Sequence, residues 1–332
     1  MGVAVEPHTP AAHLDRLRAL VEEGLAGLVP APTPERLYEP VRYVLSGRGK
    51  RLRPLLLLLS AEAHGVPAPA ALPAALGVEV FHNFTLVHDD IMDHSDERRG
   101  RPTVHVRWSE DTAILAGDYL LALSYDLLAR TESPSLARLL RRYGAMVTAL
   151  CEGQTLDKAF ETQPAVTVAD YLAMIDRKTA ALLCWALEAG ALLGGAPAGR
   201  VEALGQAGRH LGRAFQIQDD LLDLVADDGR WGKPVGGDLM EGKKTYLLLT
   251  ALERAGADDD AFFRRIAEGT GLPPSDVADA RERMRRLGVL DAARQAVDEH
   301  TEAGLSALDA LPESPARTTL HWLFRRMQAR LH

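Results

Sequence analysis

The chain is 332 residues long, 47% hydrophobic, 25% charged and 5% aromatic, with a formal charge of −8. That acidic balance excludes the basic face on which nucleic-acid binding rests, and two cysteines, Cys151 and Cys184, exclude a disulfide scaffold. Residues 1–10 lack a basic stretch leading into an apolar one, and largely apolar runs such as residues 55–61 are far short of the roughly 20 that span a bilayer, so a reduced, cytoplasmic protein with no transmembrane segment is expected.

Apolar residues recur at helical spacing almost throughout, and no stretch alternates with period two for more than a few residues, which predicts an all-α fold. Pro- and Gly-rich segments at 29–34, 65–73, 100–103, 132–135, 194–199, 227–237, 256–260, 269–275 and 311–315 cut the chain into pieces of helix-bundle length. None is long or polar enough to link domains, so a single domain over residues 1–332 is expected, with roughly the first 12 residues loose.

The first chemically informative segment is Gly47-Arg48-Gly49-Lys50-Arg51-Leu52-Arg53-Pro54, which puts a cluster of cations at a predicted helix start. Helix N-termini attract anions, so cations there are unfavourable unless an anion intervenes. The next helix runs from near Leu76 through Val80, Phe81, Phe84 and Val87 into Asp89-Asp90-Ile91-Met92-Asp93. Asp89 and Asp93, at i and i+4, share a face, repel each other and sit at the negative end of the helix dipole. Helix stability asks for none of this, whereas Mg²⁺ is held by one or two carboxylates together with phosphate oxygens. His82, two turns earlier, lies on nearly the same face, and its imidazole either donates to a phosphate or packs in the core. Arg98 and Arg99 follow in a loop closed by Gly100 and Pro102, with guanidinium forks suited to bidentate phosphate contacts.

Further on, Lys178-Thr179 lies inside an apolar helix. The segment Phe215-Gln216-Ile217-Gln218-Asp219-Asp220-Leu221-Leu222-Asp223 then repeats the acidic pattern, again closing an apolar helix before a Gly-rich region that carries Lys233, Lys243 and Lys244. Facing each other across a helical cavity, the two doublets would present Asp89, Asp90, Asp93, Asp219, Asp220 and Asp223, enough to clamp divalent ions around a diphosphate.

In these motifs the sequence resembles the trans-type isoprenyl diphosphate synthases, or polyprenyl synthetases. The two acidic segments are similar to that family's aspartate-rich motifs, and Gly49-Lys50-Arg51 to its upstream basic motif. Arg98-Arg99-Gly100, Gly153-Gln154 with Asp157, Lys178-Thr179, Phe215-Gln216 and the stretch from Gly232-Lys233-Pro234 to Lys243-Lys244-Thr245 match in order. One departure is Tyr246-Leu247, where many members carry a proline. The resemblance implies an antiparallel helical bundle around a deep cavity, a homodimer, and head-to-tail condensation of an allylic diphosphate with isopentenyl diphosphate.

By position it implies a cluster of about three Mg²⁺ ions on Asp89, Asp93, Asp219 and Asp223, supported by Asp90 and Asp220. The allylic diphosphate would be bound by that cluster with Arg98, Lys178, Lys233 and Lys243. Isopentenyl diphosphate would be held by Lys50, Arg53, His82 and Arg99, with no clear role for Arg51, and Thr179 and Gln216 would stabilise the carbocation. Ionising an allylic C–O bond calls for positive charge on the departing diphosphate, and the diphosphate itself takes the final proton, which accounts for a sequence with no evident triad or general-base dyad. Thr85 lies one turn below Asp89 and Phe84 about 7.5 Å below it at 1.5 Å per residue. Phe84, with Phe81 beneath, is therefore the expected floor for the growing chain, and the resemblance implies a C20 product, with C15 next and a longer chain as a further alternative. A class I terpene cyclase would have no use for Lys50, Arg53 and Arg99, and a non-catalytic regulatory subunit would typically lose aspartates from one motif.

Overall fold

The structure is a computed structural model and describes residues 9–29, 33–47, 49–225, 235–268 and 271–329. Its helices are α1 (Pro10–Ala26), α2 (Glu35–Leu45), α3 (Leu52–Ala63), α4 (Ala68–Met92), α5 (Val104–Arg107), α6 (Glu110–Ala129), α7 (Leu136–Thr162) and α8 (Val168–Ile175). After a π-helical turn, Asp176–Ala180, come α9 (Ala181–Leu193), α10 (Ala198–Val225), α11 (Gly237–Met240), α12 (Tyr246–Arg254), α13 (Ala257–Glu268), α14 (Val277–Arg286), α15 (Val289–Leu308) and α16 (Pro315–Gln328). The all-α class read from periodicity is thus the class observed. Two compact units divide the chain, one of residues 1–142, 186–202 and 311–320, the other of residues 143–185, 203–310 and 321–332.

In the first unit, α1 opens on Thr9, whose hydroxyl accepts from the Ala12 N–H at 3.2 Å, with Pro10 pre-set for the first turn. Leu14, Leu17, Val21 and Leu25 form its buried stripe. The apolar run of α3, Leu55 to Leu59, is buried on every side, and α4 is equally enclosed from Ala74 to Phe81. Each fully buried aliphatic or Phe side chain contributes about 1.5–3 kcal/mol. Helix α4 packs on α1, α3 and α6, which fixes the direction of its acidic end.

The second unit centres on Ile217, Leu221 and Leu224 of α10, Leu247 and Leu248 of α12, Phe263 and Ile266 of α13, Met284 of α14 and Val289 of α15. A smaller cluster joins Phe160, Tyr171, Met174, Ile175 and Leu249.

Four details depart from the sequence reading. Helix α4 begins at Ala68, inside the expected break, because prolines near a helix start lose no intrahelical bond, although Pro73 lies beyond that turn. Helix α13 begins at Ala257, and Asp258, Asp259 and Asp260 sit in its first turn, where the dipole favours them. Glu97–Arg98 and Arg101–Pro102 pair as a two-residue antiparallel hairpin, β1 and β2, too short to show a strand period. Lys178-Thr179 lies not in regular α-helix but in the π-turn. Among the described residues, α4 and α6 are long and apolar enough to cross a membrane, and 67% of the α4 window is buried, as in a core helix.

Candidate active site

In the first unit, the hairpin that follows α4 presents its arginines by a tight turn. Arg99 and Gly100 both have positive φ, +55° and +70°, the pair a two-residue hairpin loop of this hand requires. The Thr103 hydroxyl donates to the Ser95 carbonyl at 2.8 Å, and its N–H to that of Asp96 at 2.9 Å, tying the hairpin to the end of α4. Arg98 then donates from Nε to Asp90 Oδ1 at 2.6 Å. Asp90, Arg98 and Arg99 line a cavity of about 270 Å³ with Val44, Leu86 and Val104. Burial pushes the Asp90 carboxyl up and Arg98 opposes that shift. Asp89 lies two turns after His82 on nearly the same face of α4, and Asp93 caps the C-terminus of the helix.

The basic motif is organised around Arg51, whose role the sequence left open. Its guanidinium is buried and donates to Glu22 at 2.8 and 3.2 Å, to Glu79 at 2.8 Å and to the Gly47 carbonyl at 2.7 Å. Its φ of +50° costs roughly 1–2 kcal/mol, a strain the four acceptors offset. Arg51 therefore shapes the turn that leads from Lys50 into α3, whose first turn carries Arg53. Glu22 and Glu79 escaped the sequence reading, yet an acid at 79 between Val78 and Val80 in a fully apolar run was a signal that a buried cation meets it.

Arg53 is pushed down to about 10 by burial, with Glu79 opposing and Arg99 reinforcing the shift. His82 is held well below the ordinary histidine range, first by burial and then by the charges of Arg53, Arg99 and Arg98, so it is neutral near pH 7. Arg53 Nε and His82 Nδ1 are buried polar atoms with no hydrogen-bond partner in the structure. Nearly every such atom in a folded protein is paired, so Arg53 Nε calls for an acceptor from outside the chain and His82 Nδ1 for a partner suited to its tautomer. Beneath, Phe84 stacks edge-on to His88 with centroids 4.7 Å apart and meets Phe81 at 5.4 Å, and the Thr85 hydroxyl donates to the His82 carbonyl at 2.8 Å.

In the second unit, α10 carries the other doublet. Asp220 is buried and accepts from the Tyr171 hydroxyl at 2.6 Å, the Tyr246 N–H at 3.0 Å and Gln216 Nε2 at 3.2 Å. Burial, with the charge of Asp238 close by, pushes it up to about 7. Asp223 accepts the Asp238 N–H on Oδ2 at 3.1 Å, which anchors α11. Gln216 Oε1 accepts the Thr179 hydroxyl at 3.2 Å, and Lys178 Nζ pairs with Asp157 at 2.5 Å. Lys243 pairs with Glu241 at 2.6 Å, whereas Lys244 is buried and donates to the Phe160 carbonyl at 2.7 Å, a structural bond. Lys233 lies outside the described residues.

Of the six aspartates that the sequence grouped, Asp90 is held by Arg98, Asp220 by Tyr171, Gln216 and the Tyr246 N–H, and Asp223 by the Asp238 N–H. All six carry the hard carboxylate oxygens that suit Mg²⁺. Among the described residues no three His, Cys, Asp or Glu side chains converge on one point. A hard cation would then complete its shell with phosphate oxygens and water, the way Mg²⁺ is ordinarily held, so the residues fit the ion as a partner of a diphosphate.

Comparison with known proteins decides the lineage: residues 34–284 match the model of the polyprenyl synthetase family. The chain belongs to that family. It is 42% identical over 304 residues to a geranylgeranyl diphosphate synthase of Methanosarcina mazei, covering 90% of this chain and 91% of that protein. A geranylfarnesyl diphosphate synthase of Natronomonas pharaonis is 39% identical, with 94% and 95% covered. The crystal structure of geranylgeranyl pyrophosphate synthetase from Pyrococcus horikoshii superposes with a TM-score of 0.90 at 38% identity over 97% of this chain and 98% of that one. As a polyprenyl synthetase, the protein is a trans-prenyltransferase with the all-α isoprenoid synthase fold.

Proposed function

We propose that this prenyltransferase condenses isopentenyl diphosphate head to tail with allylic diphosphates and releases geranylgeranyl diphosphate. The observation that carries the reading is the buried basic cluster of the first unit: Arg53 and His82, each with an orphaned nitrogen, beside Arg99, with Glu79 acting on both arginines and Asp90 on Arg99 as well. A diphosphate supplies the acceptors and the charge this cluster lacks. Isopentenyl diphosphate binds there, on Lys50, Arg53, His82 and Arg99. Arg98, Lys178, Lys233 and Lys243 hold the allylic diphosphate.

Bound on Asp89, Asp93, Asp219 and Asp223, Mg²⁺ supplies the positive charge that stabilises the departing diphosphate. Asp90 orients Arg98 through its 2.6 Å bond, and Asp220 orients Gln216, which in turn occupies the Thr179 hydroxyl proton. Thr179 and Gln216 thus offer oxygen dipoles to an allylic cation while each is fixed by a hydrogen bond. The diphosphate leaving group takes the proton lost after C–C bond formation, and no protein base is needed.

Phe84 closes the chain-elongation path, backed by Phe81 and His88, with Thr85 as the small residue above it. A C15 product is the second reading, since the position of that floor sets the length. The enzyme works in the cytoplasm as one catalytic domain and as a homodimer. Among the described residues, Ile114, Leu115 and Tyr125 of α6, with Met92 and Val106, are the exposed large apolar side chains, and α6 is the apolar surface that a second copy would cover. The test is incubation with Mg²⁺, isopentenyl diphosphate and, separately, dimethylallyl, geranyl or farnesyl diphosphate, with product-length analysis. C20 is expected, and no extension of any starter would refute the assignment.

A further inference from the structure

The turn that carries Lys178 and Thr179 is π-helical. Such turns are rare inside α-helices and recur at functional sites, since one extra residue in the turn redirects every side chain it contains. Relaxing it to regular α-helix would rotate the following residues by roughly 100°. What opposes that relaxation at the start of the turn is a two-point ion pair. Arg213 of α10 donates from Nε to Asp176 Oδ1 and from Nη2 to Asp176 Oδ2, both at 2.7 Å. Two parallel bonds fix the plane as well as the separation of the groups. Both side chains are largely shielded, 20% and 23% exposed, so water and salt screen the pair less than a surface one. Arg209, one turn earlier on α10, adds its charge at 3.9 Å.

The rest of the turn is packed backbone to backbone. A Cβ on Gly153 of α7 would lie 2.3 Å from the Lys178 nitrogen, and one on Gly212 would lie 2.4 Å from Ala180 Cβ. Both sites need glycine for this closeness. Asp176 stands two residues before Lys178, and Arg213 stands three before Gln216, the partner of Thr179. One ion pair therefore ties together the two segments that present the Lys178 ammonium and the Thr179–Gln216 pair.

We propose that Asp176 and Arg213 are positioning residues: their ion pair locks the π-turn to α10 and so aims Lys178 and Thr179 at the allylic diphosphate. The substrate half of this statement rests on the proposed function, while the locking half stands on the geometry alone.

The test uses the full-length protein with Asp176→Ala, Arg213→Ala, Arg213→Lys and the double Asp176→Ala/Arg213→Ala. Hydrogen exchange across residues 173–183 should accelerate in both alanine variants, at a temperature where all remain folded. Steady-state kinetics should show kcat falling about tenfold to a hundredfold and KM rising for the allylic substrate, with KM for isopentenyl diphosphate unchanged. The double variant should cost no more than either single one, as expected of groups acting as a unit, and Arg213→Lys should recover part of the loss. Unchanged exchange in that segment would overturn the proposal, as would variants that lose thermal stability yet keep wild-type kcat below their midpoints. If the wild type extended no starter, the functional reading would fall and the exchange result alone would decide the lock.

Discussion

The two aspartate-rich motifs look alike in sequence and are held in opposite ways. In the first unit the middle carboxylate, Asp90, is neutralised by a cation, Arg98, on a strained hairpin at the edge of a cavity. In the second unit its counterpart, Asp220, is buried among neutral donors, Tyr171, Gln216 and the Tyr246 N–H, and is pushed up to about 7. The first arrangement leaves a guanidinium lining the cavity; the second builds a polar network that runs from Asp220 through Gln216 to Thr179. A repeated motif thus does not fix what its middle acid does. Its neighbours in space decide that.

The largest expected effects come from the residues the two motifs share in function. Asp89→Ala and Asp219→Ala should each lower kcat by about 10²–10³, the scale of losing one preorganised electrostatic element, with thermal stability little changed. A wild-type rate in either variant would remove that doublet from the metal site. Next, Arg51→Ala should destabilise the first unit by about 3–5 kcal/mol, because the buried Glu79 would lose the guanidinium that is hydrogen-bonded to it. Thermal denaturation checks this, and Arg51→Met combined with Glu79→Gln should recover part of the loss.

The contrast between the units is sharpened by a matched pair. Asp90→Asn breaks an ion pair and should raise KM for the allylic diphosphate about tenfold, in line with the 1.5–3 kcal/mol typical of bonds to charged groups. Asp220→Asn keeps an acceptor for the Tyr171 hydroxyl and should cost less in KM. Equal effects on KM would mean that the two surroundings are functionally equivalent. A smaller and more specific change is expected from Phe84→Ala, which opens the space beside Phe81 and His88: the main product should lengthen from C20, read by chromatography of the hydrolysed prenols. An unchanged product would move the floor elsewhere in the bundle.

Much of this site was legible in one sequence, because carboxylates at i and i+4 on a helix end and cations at a helix start contradict local helix preference and so announce an outside partner. The all-α class was equally open to reading from the apolar period. The role of Arg51 was not, because its partners Glu22 and Glu79 come from α1 and α4 and meet it only through packing. The hairpin was too short to carry a period, and the π-turn reads as ordinary helix, since one inserted residue leaves its neighbours' apolar spacing almost intact. Nor did composition betray the division into two units, because most of their junctions fall inside helices such as α7, α9 and α10 rather than in linkers.

The smallest predicted effect tests whether the neutral character of the second unit extends beyond Asp220. On α10, one turn before Arg213, His210 faces His300 of α15, with their Nδ1 atoms 3.1 Å apart. Burial first, then His210 and Arg213, push His300 down to about 4, with Asp176 and Glu299 opposing. His210 is also lowered, by burial and by Arg213 and Arg209. In the unfolded chain such an imidazole titrates near 6.5. Between pH 6.5 and 4 the unfolded chain therefore binds a proton that folded His300 refuses, so stability is full above 6.5 and falls as the pH drops through this window. Wild type should lose more of its melting temperature between pH 7 and pH 5 than His300→Gln, which cannot take up the proton in either state. Parallel losses in the two proteins would show that the pair does not contribute, and a steeper loss in the variant would reverse the sign argued here.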